Sequence, residues 1–354
     1  MSRTRRLLYA AGALGVTGLA AALGLRSLVY LPPDVAAVPV TCAPDAPALP
    51  SGAPIKVLVW NIQYSAGRSH HFFYDGGEAV HVSRDDVRST LEAVAAVIRE
   101  HNPDIVLLQE VDRGSDRTQR IDQHTELLKL TPYPCHAATP YHRVRYVPHP
   151  GHNHLGKVDM NLSVFSRYQL GTAERVQLAL LDEPWWRKAF NLRRALLTVD
   201  APIEGGGTLR LLNTHLSAFS KGDGTLGKQM AQLDAAATTA EQAGLPWVLA
   251  GDLNALAPGD DPQRLGADAA WYAEANTPVG LLFGRHHSVI PEPLYRSEPK
   301  RFYTYLPFGA AEPDRTLDYA FVGRKVAVTD FEVIQATDIS DHLPIVFTIT
   351  LGDP

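Results

Sequence analysis

The sequence has few cysteines and no surplus of positive charge, and each of these shortages argues against a class of protein. Two cysteines in 354 residues are too few for a fold built on a disulfide framework. The 33 basic side chains are outnumbered by 38 acidic ones, which gives a formal net charge of −5. Proteins that bind long nucleic acid without sequence preference usually carry a basic surplus, so this composition disfavours a nuclease that tracks along duplexes.

The charge is distributed unevenly along the chain. Residues 1–50 contain four arginines and two aspartates, which leaves 29 basic and 36 acidic side chains in the remainder, a net charge of about −7. Hydrophobic residues make up 45% of the chain and charged residues 20%, as is typical of a globular protein. The length suits one large domain or two small ones, and no internal repeat divides it.

The two cysteines, Cys42 and Cys135, leave two alternatives open. In an oxidising compartment they would form one disulfide that ties the N-terminal segment to the rest of the chain. Two unpaired thiols are equally consistent with the sequence, because it does not give the distance between them.

Residues 1–31 have the pattern of a membrane anchor or an export signal. Arg3, Arg5 and Arg6 precede an uncharged run from Leu7 to Leu25, which is long enough to cross a bilayer. The excess of arginine before the run places the chain that follows outside the cytoplasm. Because no clear small-x-small cleavage site follows the run, we expect an uncleaved anchor in the cell membrane; a cleaved signal and secretion are the alternative.

Residues 32–54 are rich in proline and alanine and lack apolar periodicity, which predicts a semi-extended linker. The globular domain is predicted to span residues 55–354. Its clearest helix runs from Ser83 to Glu100, and Ser83 and Asp86 have capping-box spacing at its start. Strand-like apolar runs alternate with two long helical patterns, which predicts an α+β fold with sheets inside and helices outside.

Polar side chains follow several buried strands at the point where each strand ends. Val248–Gly251 has the pattern of a buried strand, and Asp252 and Asn254 then lie two residues apart, on one side of an extended chain. Glu110 follows the apolar run Ile105–Leu108, and a buried carboxylate is costly unless a cation or hydrogen-bond donors compensate. Mg²⁺ binds one or two carboxylates and keeps water ligands, so we favour a metal ligand over a salt bridge for Glu110.

The same kind of residue recurs at other strand ends. His215 follows a strand, Asp318 lies inside an alternating strand, and Asp341 and His342 precede the last strand. Each residue alone has an ordinary structural explanation, such as a turn, a cap or a single hydrogen bond. Their recurrence favours a single polar site over a set of unrelated structural contacts.

Taken together, these blocks resemble the endonuclease/exonuclease/phosphatase superfamily, which includes DNase I-like nucleases, abasic-site nucleases, neutral sphingomyelinases and inositol-polyphosphate phosphatases. The resemblance covers residues 55–349 and implies a four-layer α/β/β/α sandwich of two mainly antiparallel sheets flanked by helices. The matching blocks, in the order of the family, are Trp60-Asn61, Leu108-Gln109-Glu110, Asn213-Thr214-His215, Gly251-Asp252-Leu253-Asn254, Leu317-Asp318-Tyr319 and Ser340-Asp341-His342.

The resemblance implies a role for most of the candidate site residues. The catalytic residues would be His215, Asp252, Asn254, Asp318 and His342, with Asp318 fixing the tautomer of His342. The metal ligands would be Glu110, Asp341 and Asn61, and the ion would be Mg²⁺, with Mn²⁺ as an alternative. The residues that we assign to the substrate phosphate are Asn61, Asn161, Asn213 and Arg194.

The implied chemistry is in-line attack of water on a phosphoester, while a metal ion and cationic or amide donors neutralise charge on the phosphoryl oxygens. Gln63 departs from the pattern, because abasic-site nucleases have an acidic metal ligand at that position. This departure weakens the nuclease branch and leaves the number of metal ions open.

Three features favour a lipid-linked or small phosphoester as substrate: the export segment, the acidic domain and the aromatic run Phe302–Phe308. That run and the Trp185–Lys188 segment would either contact such a substrate or an interface, or pack against the rest of the protein. We expect a monomer. An exported nuclease is the alternative with the same chemistry, and a catalytically inactive binding module is the alternative from another class. The histidines at positions 149, 152 and 154 are a weaker candidate zinc site.

Overall fold

Two seven-stranded sheets make up the centre of the protein in this computed structural model, which describes Gly24 and residues 28–218, 223–272 and 278–352. Residues 1–23 and 25–27, which hold most of the predicted anchor, lie outside the described residues. Within the described ranges, no helix has both the length and the apolar character needed to cross a bilayer.

The strands and helices of the described residues are numbered in chain order. The strands are β1 (Val35–Ala37), β2 (Val40–Cys42), β3 (Ile55–Asn61), β4 (Ile105–Asp112), β5 (Cys135–Val147), β6 (Gly156–Ser166), β7 (Ala173–Gln177), β8 (Ala195–Pro202), β9 (Thr208–His215), β10 (Trp247–Asp252), β11 (His287–Ser288), β12 (Asp318–Val322), β13 (Val326–Val333) and β14 (Ile345–Leu351). The helices are α1 (Arg84–His101), α2 (Gln123–Leu130), α3 (Trp185–Phe190), α4 (Thr225–Gln242), α5 (Gly280–Phe283) and α6 (Glu292–Ser297).

Each sheet is mainly antiparallel but has one parallel pair. The spatial orders are β1-β7-β8-β9-β10-β12-β11 and β13-β14-β3-β4-β6-β5-β2. The parallel pairs are β9 with β10 and β3 with β4. All four of these strands end at the same edge of the sandwich, because the side chain of Asn61 at the end of β3 reaches that of Asp252 at the end of β10. The predicted α+β sandwich is confirmed.

The predicted helix is α1, and its ends follow from its sequence. Ser83 is the N-cap, and its Oγ accepts a hydrogen bond of 3.1 Å from the backbone N–H of Asp86. The apolar side chains at four positions in one stripe are buried: Val87, Leu91, Val94 and Ile98. Asn102 ends the helix in the left-handed conformation, with φ of 51°.

The stretch 32–54 differs from the predicted linker, because it contributes a strand to each sheet. Strand β1 pairs with β7, strand β2 pairs with β5, and Leu49 is buried beside Ile203. Proline and alanine are compatible with such short edge strands, which need hydrogen bonds on one side only. The folded domain therefore includes residues from Val35 onward.

The two cysteines face each other across strands β2 and β5 and form a disulfide. Of the two alternatives that the sequence leaves open, the bonded one is present. The bond joins residues 93 positions apart and fixes the β2 edge strand to the sheet that contains β3 and β4.

We predict that replacing Cys42 and Cys135 together by serine lowers the free energy of unfolding by about 2–4 kcal/mol, because the unfolded chain loses its cross-link. Urea unfolding followed by circular dichroism measures the change. Wild-type protein unfolded in the presence of a reductant is the control and should lose the same amount. An unfolding midpoint that neither treatment changes would contradict the prediction.

Candidate active site

A cavity of about 370 Å³ lies where the ends of the two parallel strand pairs meet. Most of the predicted site residues line it. These are Glu110, Arg194, His215, Asp252, Asn254, Asp341 and His342. Asn61 and Asp318 lie behind this lining and contact it through hydrogen bonds.

The carboxylate of Asp252 is the centre of the polar network. It is 1% exposed, and its Oδ2 accepts a hydrogen bond of 3.0 Å from Asn61 Nδ2. Its Oδ1 accepts one of 3.0 Å from the backbone N–H of Asn254. The Nε2 atoms of His215 and His342 lie 3.2 and 3.6 Å from Oδ2. Residues from both sheets therefore converge on one buried carboxylate.

Burial raises the pKa of Asp252 to about 6, and the nearby carboxylate of Asp318 adds to the shift. The positive charge of His342 and the hydrogen bonds from Asn61 and Asn254 act in the opposite direction. Asp252 is thus a stronger proton acceptor than an exposed aspartate while it is still ionised near neutral pH.

His342 is held between two carboxylates. Its Nδ1 donates a hydrogen bond of 2.8 Å to Asp318 Oδ2, and Trp60 Nε1 donates one of 2.8 Å to its backbone oxygen. Burial opposes a charge on the ring, but Asp318 and Asp252 outweigh it and raise the pKa of His342 well above its usual value. The two carboxylates therefore favour the imidazolium form, which can donate from Nε2 into the cavity.

The second histidine has the opposite protonation state. Burial lowers the pKa of His215 well below its usual value, and the charges of Arg194 and His342 add to this effect. The hydroxyl of Tyr141 lies 3.0 Å from Nδ1. A neutral ring that accepts from Tyr141 at Nδ1 has its proton on Nε2, which lies 3.2 Å from Asp252 Oδ2. One cationic and one neutral imidazole thus flank the same carboxylate.

A bulge in β4 brings Glu110 to the cavity. The pairing of β4 with β6 shifts register between Leu108 and Val111, and Glu110 has a φ of 56°. Positive φ is uncommon for residues other than glycine and is often found at functional sites. The bulge lets Glu110 reach the cavity while Leu108 and Val111 remain fully buried.

Glu110 and Asp341 fit a divalent cation. Burial raises the pKa of Glu110, and burial raises the pKa of Asp341 to about 6 with a further contribution from Glu110. Two carboxylates that line one cavity, with the charge of Glu110 raising the pKa of Asp341, are a suitable oxygen-ligand set for Mg²⁺. The amide of Asn61 already donates to Asp252 and accepts from the N–H of Gln63, so it suits an outer position better than a direct ligand.

A second group of possible ligand atoms lies on Asp252, Asp318 and His342, within 4.8 Å of one another. The imidazolium form of His342 has no lone pair to offer a metal ion, because one ring proton is donated to Asp318 and the other faces Asp252. These three residues are therefore better suited to hydrogen bonding and proton transfer than to metal binding.

Arg194 is the candidate phosphate ligand that the structure brings to the cavity. Its side chain is 7% exposed, its guanidinium lies over the ring of Tyr141, and Nη1 has no hydrogen-bond partner among the described residues. An unpaired N–H on a buried cation costs free energy unless a ligand accepts from it. A phosphoryl oxygen is such an acceptor.

Of the other three residues assigned to phosphate, Asn61 lies directly behind the cavity lining, and Asn161 and Asn213 lie away from the cavity. Asn213 shares a strand face with His215 but is one pleat deeper in the sandwich. There its amide accepts from Gln109 and donates to the carbonyls of Leu108 and Ser163 at 3.1 and 3.0 Å, so it joins the two sheets. Asn161 is buried in β6, where its amide donates to Asp159.

Several cavity residues were not predicted from the sequence. The loop after β3 contributes Arg68, His71 and Tyr74, and His71 stacks on Phe308 with ring centres 4.2 Å apart. That loop is recognisable as polar and rich in histidine, but its sequence does not say which end of the fold it covers. From the aromatic run, Tyr305 and Phe308 line the cavity, while Phe302 packs in the core.

The histidine cluster near position 150 does not form a metal site among the described residues. His154 contacts the hydroxyl of Tyr146 through Nδ1 and the backbone oxygen of Gly151 through Nε2. Both ring nitrogens of His154 are therefore engaged within the protein.

We predict that Asn213→Ala lowers the free energy of unfolding by about 2–4 kcal/mol, because three hydrogen bonds between the sheets are lost at a fully buried position. Asn254→Ala is the matched control. Its amide donates one hydrogen bond to Leu216, so about 1 kcal/mol is expected. Chemical unfolding of both variants measures the difference, and equal losses would contradict the structural role of Asn213.

Comparison with known proteins identifies the family of the chain and structures with a similar fold. The model of a family described as the Endonuclease/Exonuclease/phosphatase family matches residues 58–342. An endonuclease/exonuclease/phosphatase from Beutenbergia cavernae is 24% identical and has a TM-score of 0.57 over 84% of this chain and 72% of that chain. Comparison with curated proteins finds no significant match.

Two more solved structures have a similar fold at lower identity. The human Nocturnin catalytic domain with bound sulfate anion is 17% identical, with a TM-score of 0.55 over 89% of this chain and 97% of that chain. An endonuclease/exonuclease/phosphatase from Bacteroides vulgatus is 17% identical, with a TM-score of 0.53 over 84% of this chain and 99% of that chain. With a family match that spans most of the sequence, the chain belongs to the endonuclease/exonuclease/phosphatase family.

Proposed function

We propose that this protein is a Mg²⁺-dependent phosphoester hydrolase, a phosphodiesterase or phosphatase, tethered outside the cytoplasm and acting on a lipid-linked or small phosphoester. Hydrolysis of phosphoesters is the chemistry of the family. The observation that supports a working catalytic centre is the position of two buried histidines 3.2 and 3.6 Å from the carboxylate of Asp252, with their pKa values shifted in opposite directions. A binding module without catalysis would have no need to keep two such groups buried around a carboxylate.

The residues around Asp252 suit attack by water at phosphorus. Asp252, which has a raised pKa, accepts a hydrogen bond from the water and orients it, and Asn254 holds the other carboxylate oxygen. His342 donates a hydrogen bond or a proton from Nε2 to an oxygen of the phosphoryl group. Arg194 offers its free N–H to another phosphoryl oxygen. Negative charge that develops during the reaction is thus met by two buried cations.

Glu110 and Asp341 are the residues that would hold Mg²⁺. The ion would supply Lewis-acid stabilisation of charge on the phosphoryl oxygens. The side-chain amide of Asn61 donates a hydrogen bond to Asp252 and so fixes the position of that carboxylate.

The support for a small or lipid-linked substrate is the size of the cavity and the charge of the domain. A volume of about 370 Å³ suits one phosphoester group with small substituents. The net negative charge of the domain does not favour the backbone of a long nucleic acid. Tethering outside the cytoplasm is supported by the arginines and the apolar run of residues 1–31.

An assay on three substrates separates the branches of the family. The full-length chain in detergent would be incubated with supercoiled plasmid, a phosphodiester lipid and a phosphoinositide, each with Mg²⁺, Mn²⁺ or EDTA. We expect metal-dependent turnover of a lipid substrate and an intact plasmid. Plasmid nicking without lipid turnover would instead make the protein an exported nuclease.

We predict that Asp252→Ala and His342→Ala each lower kcat by about 10³-fold or more, since each group contributes several kcal/mol of transition-state stabilisation. Steady-state kinetics on the substrate that wild type turns over measures the loss, and circular dichroism verifies folding. Glu126→Gln, on the exposed surface of α2, is the control that should retain wild-type kcat. Wild-type kcat in either active-site variant would overturn the assignment.

Glu110→Gln is predicted to raise the Mg²⁺ concentration for half-maximal activity at least tenfold, because a neutral amide replaces a carboxylate ligand. A Mg²⁺ titration of initial rates compares this variant with wild type and with Glu126→Gln. If the three titration curves coincide, the metal ligand lies elsewhere.

A further inference from the structure

The exposed large hydrophobic side chains of the described residues fall into two groups. Three of them line the cavity: Tyr74, Trp271 and Phe308, which are 43%, 37% and 41% exposed. The remaining five are Leu28, Leu31, Val35, Tyr146 and Trp185. Single exposed apolar residues are ordinary, but a collection at one end of a domain indicates a contact surface.

Leu28 and Leu31, which we call the N-terminal group, lie in a segment that meets the folded domain beside the cavity. Val29 forms a β-bridge with Val144 of β5, and His142 of the same strand lines the cavity. Two residues along a strand span about 7 Å. The chain that follows the apolar run Leu7–Leu25 therefore joins the folded domain close to the cavity wall.

The β5–β6 hairpin, which pairs with the N-terminal segment at Val144, also reaches residues near the cavity. Tyr146 packs on His154 within the hairpin. At its tip the ring of His149 lies 5.4 Å from that of Phe73, and Phe73 lies 5.1 Å from Tyr74. The hairpin that pairs with Val29 thus also contacts, at its tip, the loop that carries Tyr74, which lines the cavity.

Helix α3 lies beside the same wall of the cavity. Trp185, at its start, is 72% exposed, the highest value among the exposed large hydrophobic residues described. At its end, the backbone oxygen of Phe190 lies 3.1 Å from Nε2 of His142, and Leu192 lines the cavity. We call Leu28, Leu31, Tyr146, Trp185, Trp271 and Phe308 the apolar rim.

We propose that the apolar rim rests on the membrane that holds the Leu7–Leu25 segment, so that the cavity takes phosphoester headgroups from that same bilayer. The proposal rests on the proposed function and names the substrate as a lipid carried in the enzyme's own membrane. Tryptophan and tyrosine suit this position because one end of each ring system is apolar and the other is polar.

Quenching of Trp185 fluorescence tests the contact without any assay of activity. The full-length chain would be reconstituted into phosphatidylcholine vesicles with and without bromine on the acyl chains. The contribution of Trp185 is the difference between wild type and Trp185→Phe. We expect brominated lipid to quench at least half of this contribution. An equal contribution in both kinds of vesicle would overturn the proposal.

Kinetics test the origin of the substrate. Trp185→Ser combined with Tyr146→Ser should lower turnover of a phosphodiester lipid in vesicles at least fivefold, and change turnover of a soluble short-chain analogue less than twofold. Arg324→Ser, in the turn at the opposite end of β12, is the control and should change neither rate. An equal loss on both substrates, or no loss on vesicles, would overturn the headgroup assignment. If neither substrate is hydrolysed, the proposed function and the headgroup assignment fail together, while the quenching result still decides whether the rim contacts the membrane.

Discussion

The burial of the Asp252 carboxylate is the constraint on which the rest of the site depends. A carboxylate that is 1% exposed must be compensated by donors, and here they are the side-chain amide of Asn61 in the opposite sheet and the backbone N–H of Asn254, with His215 Nε2 3.2 Å away. Close packing of the two sheets is therefore required for the charge to be stable. Gly251 is required within the sheet that carries Asp252, because a Cβ at that position would lie 1.9 Å from the backbone oxygen of Thr214 on the adjacent strand β9.

The environment of Asp252 also separates the two histidines in function. Two nearby carboxylates raise the pKa of His342, whereas burial and nearby cations lower the pKa of His215. Titratable groups of the same type whose pKa values are driven apart are typical of acid–base sites. Glu110 and Asp341 form a separate pair of carboxylates in the same cavity. Proton transfer and metal binding can thus be divided between two sets of neighbouring residues.

The pattern of strands and helices predicted an α+β fold, and the family resemblance implied the sandwich. Polar residues that follow buried strands, as at Asp252 and Glu110, indicated candidate site residues, most of which line the cavity. The sequence did not show that His215 lines the cavity and Asn213 does not, because the two residues lie on the same face of one strand and differ only in their distance from its end. The edge strands within residues 32–54 are short, and their pairing depends on strands far away in sequence. The loop residues around the cavity, such as Arg68, follow no periodic pattern, so their position is set by tertiary contacts alone.

Isotope labelling tests most directly whether this centre delivers water to phosphorus. Hydrolysis by the full-length chain would be run in ¹⁸O-labelled water on the substrate that it turns over, and both products would be analysed by mass spectrometry. Attack of a water oriented by Asp252 predicts one labelled oxygen in the phosphoryl product and none in the released alcohol. Label in the alcohol, or no solvent oxygen in either product, would contradict this account.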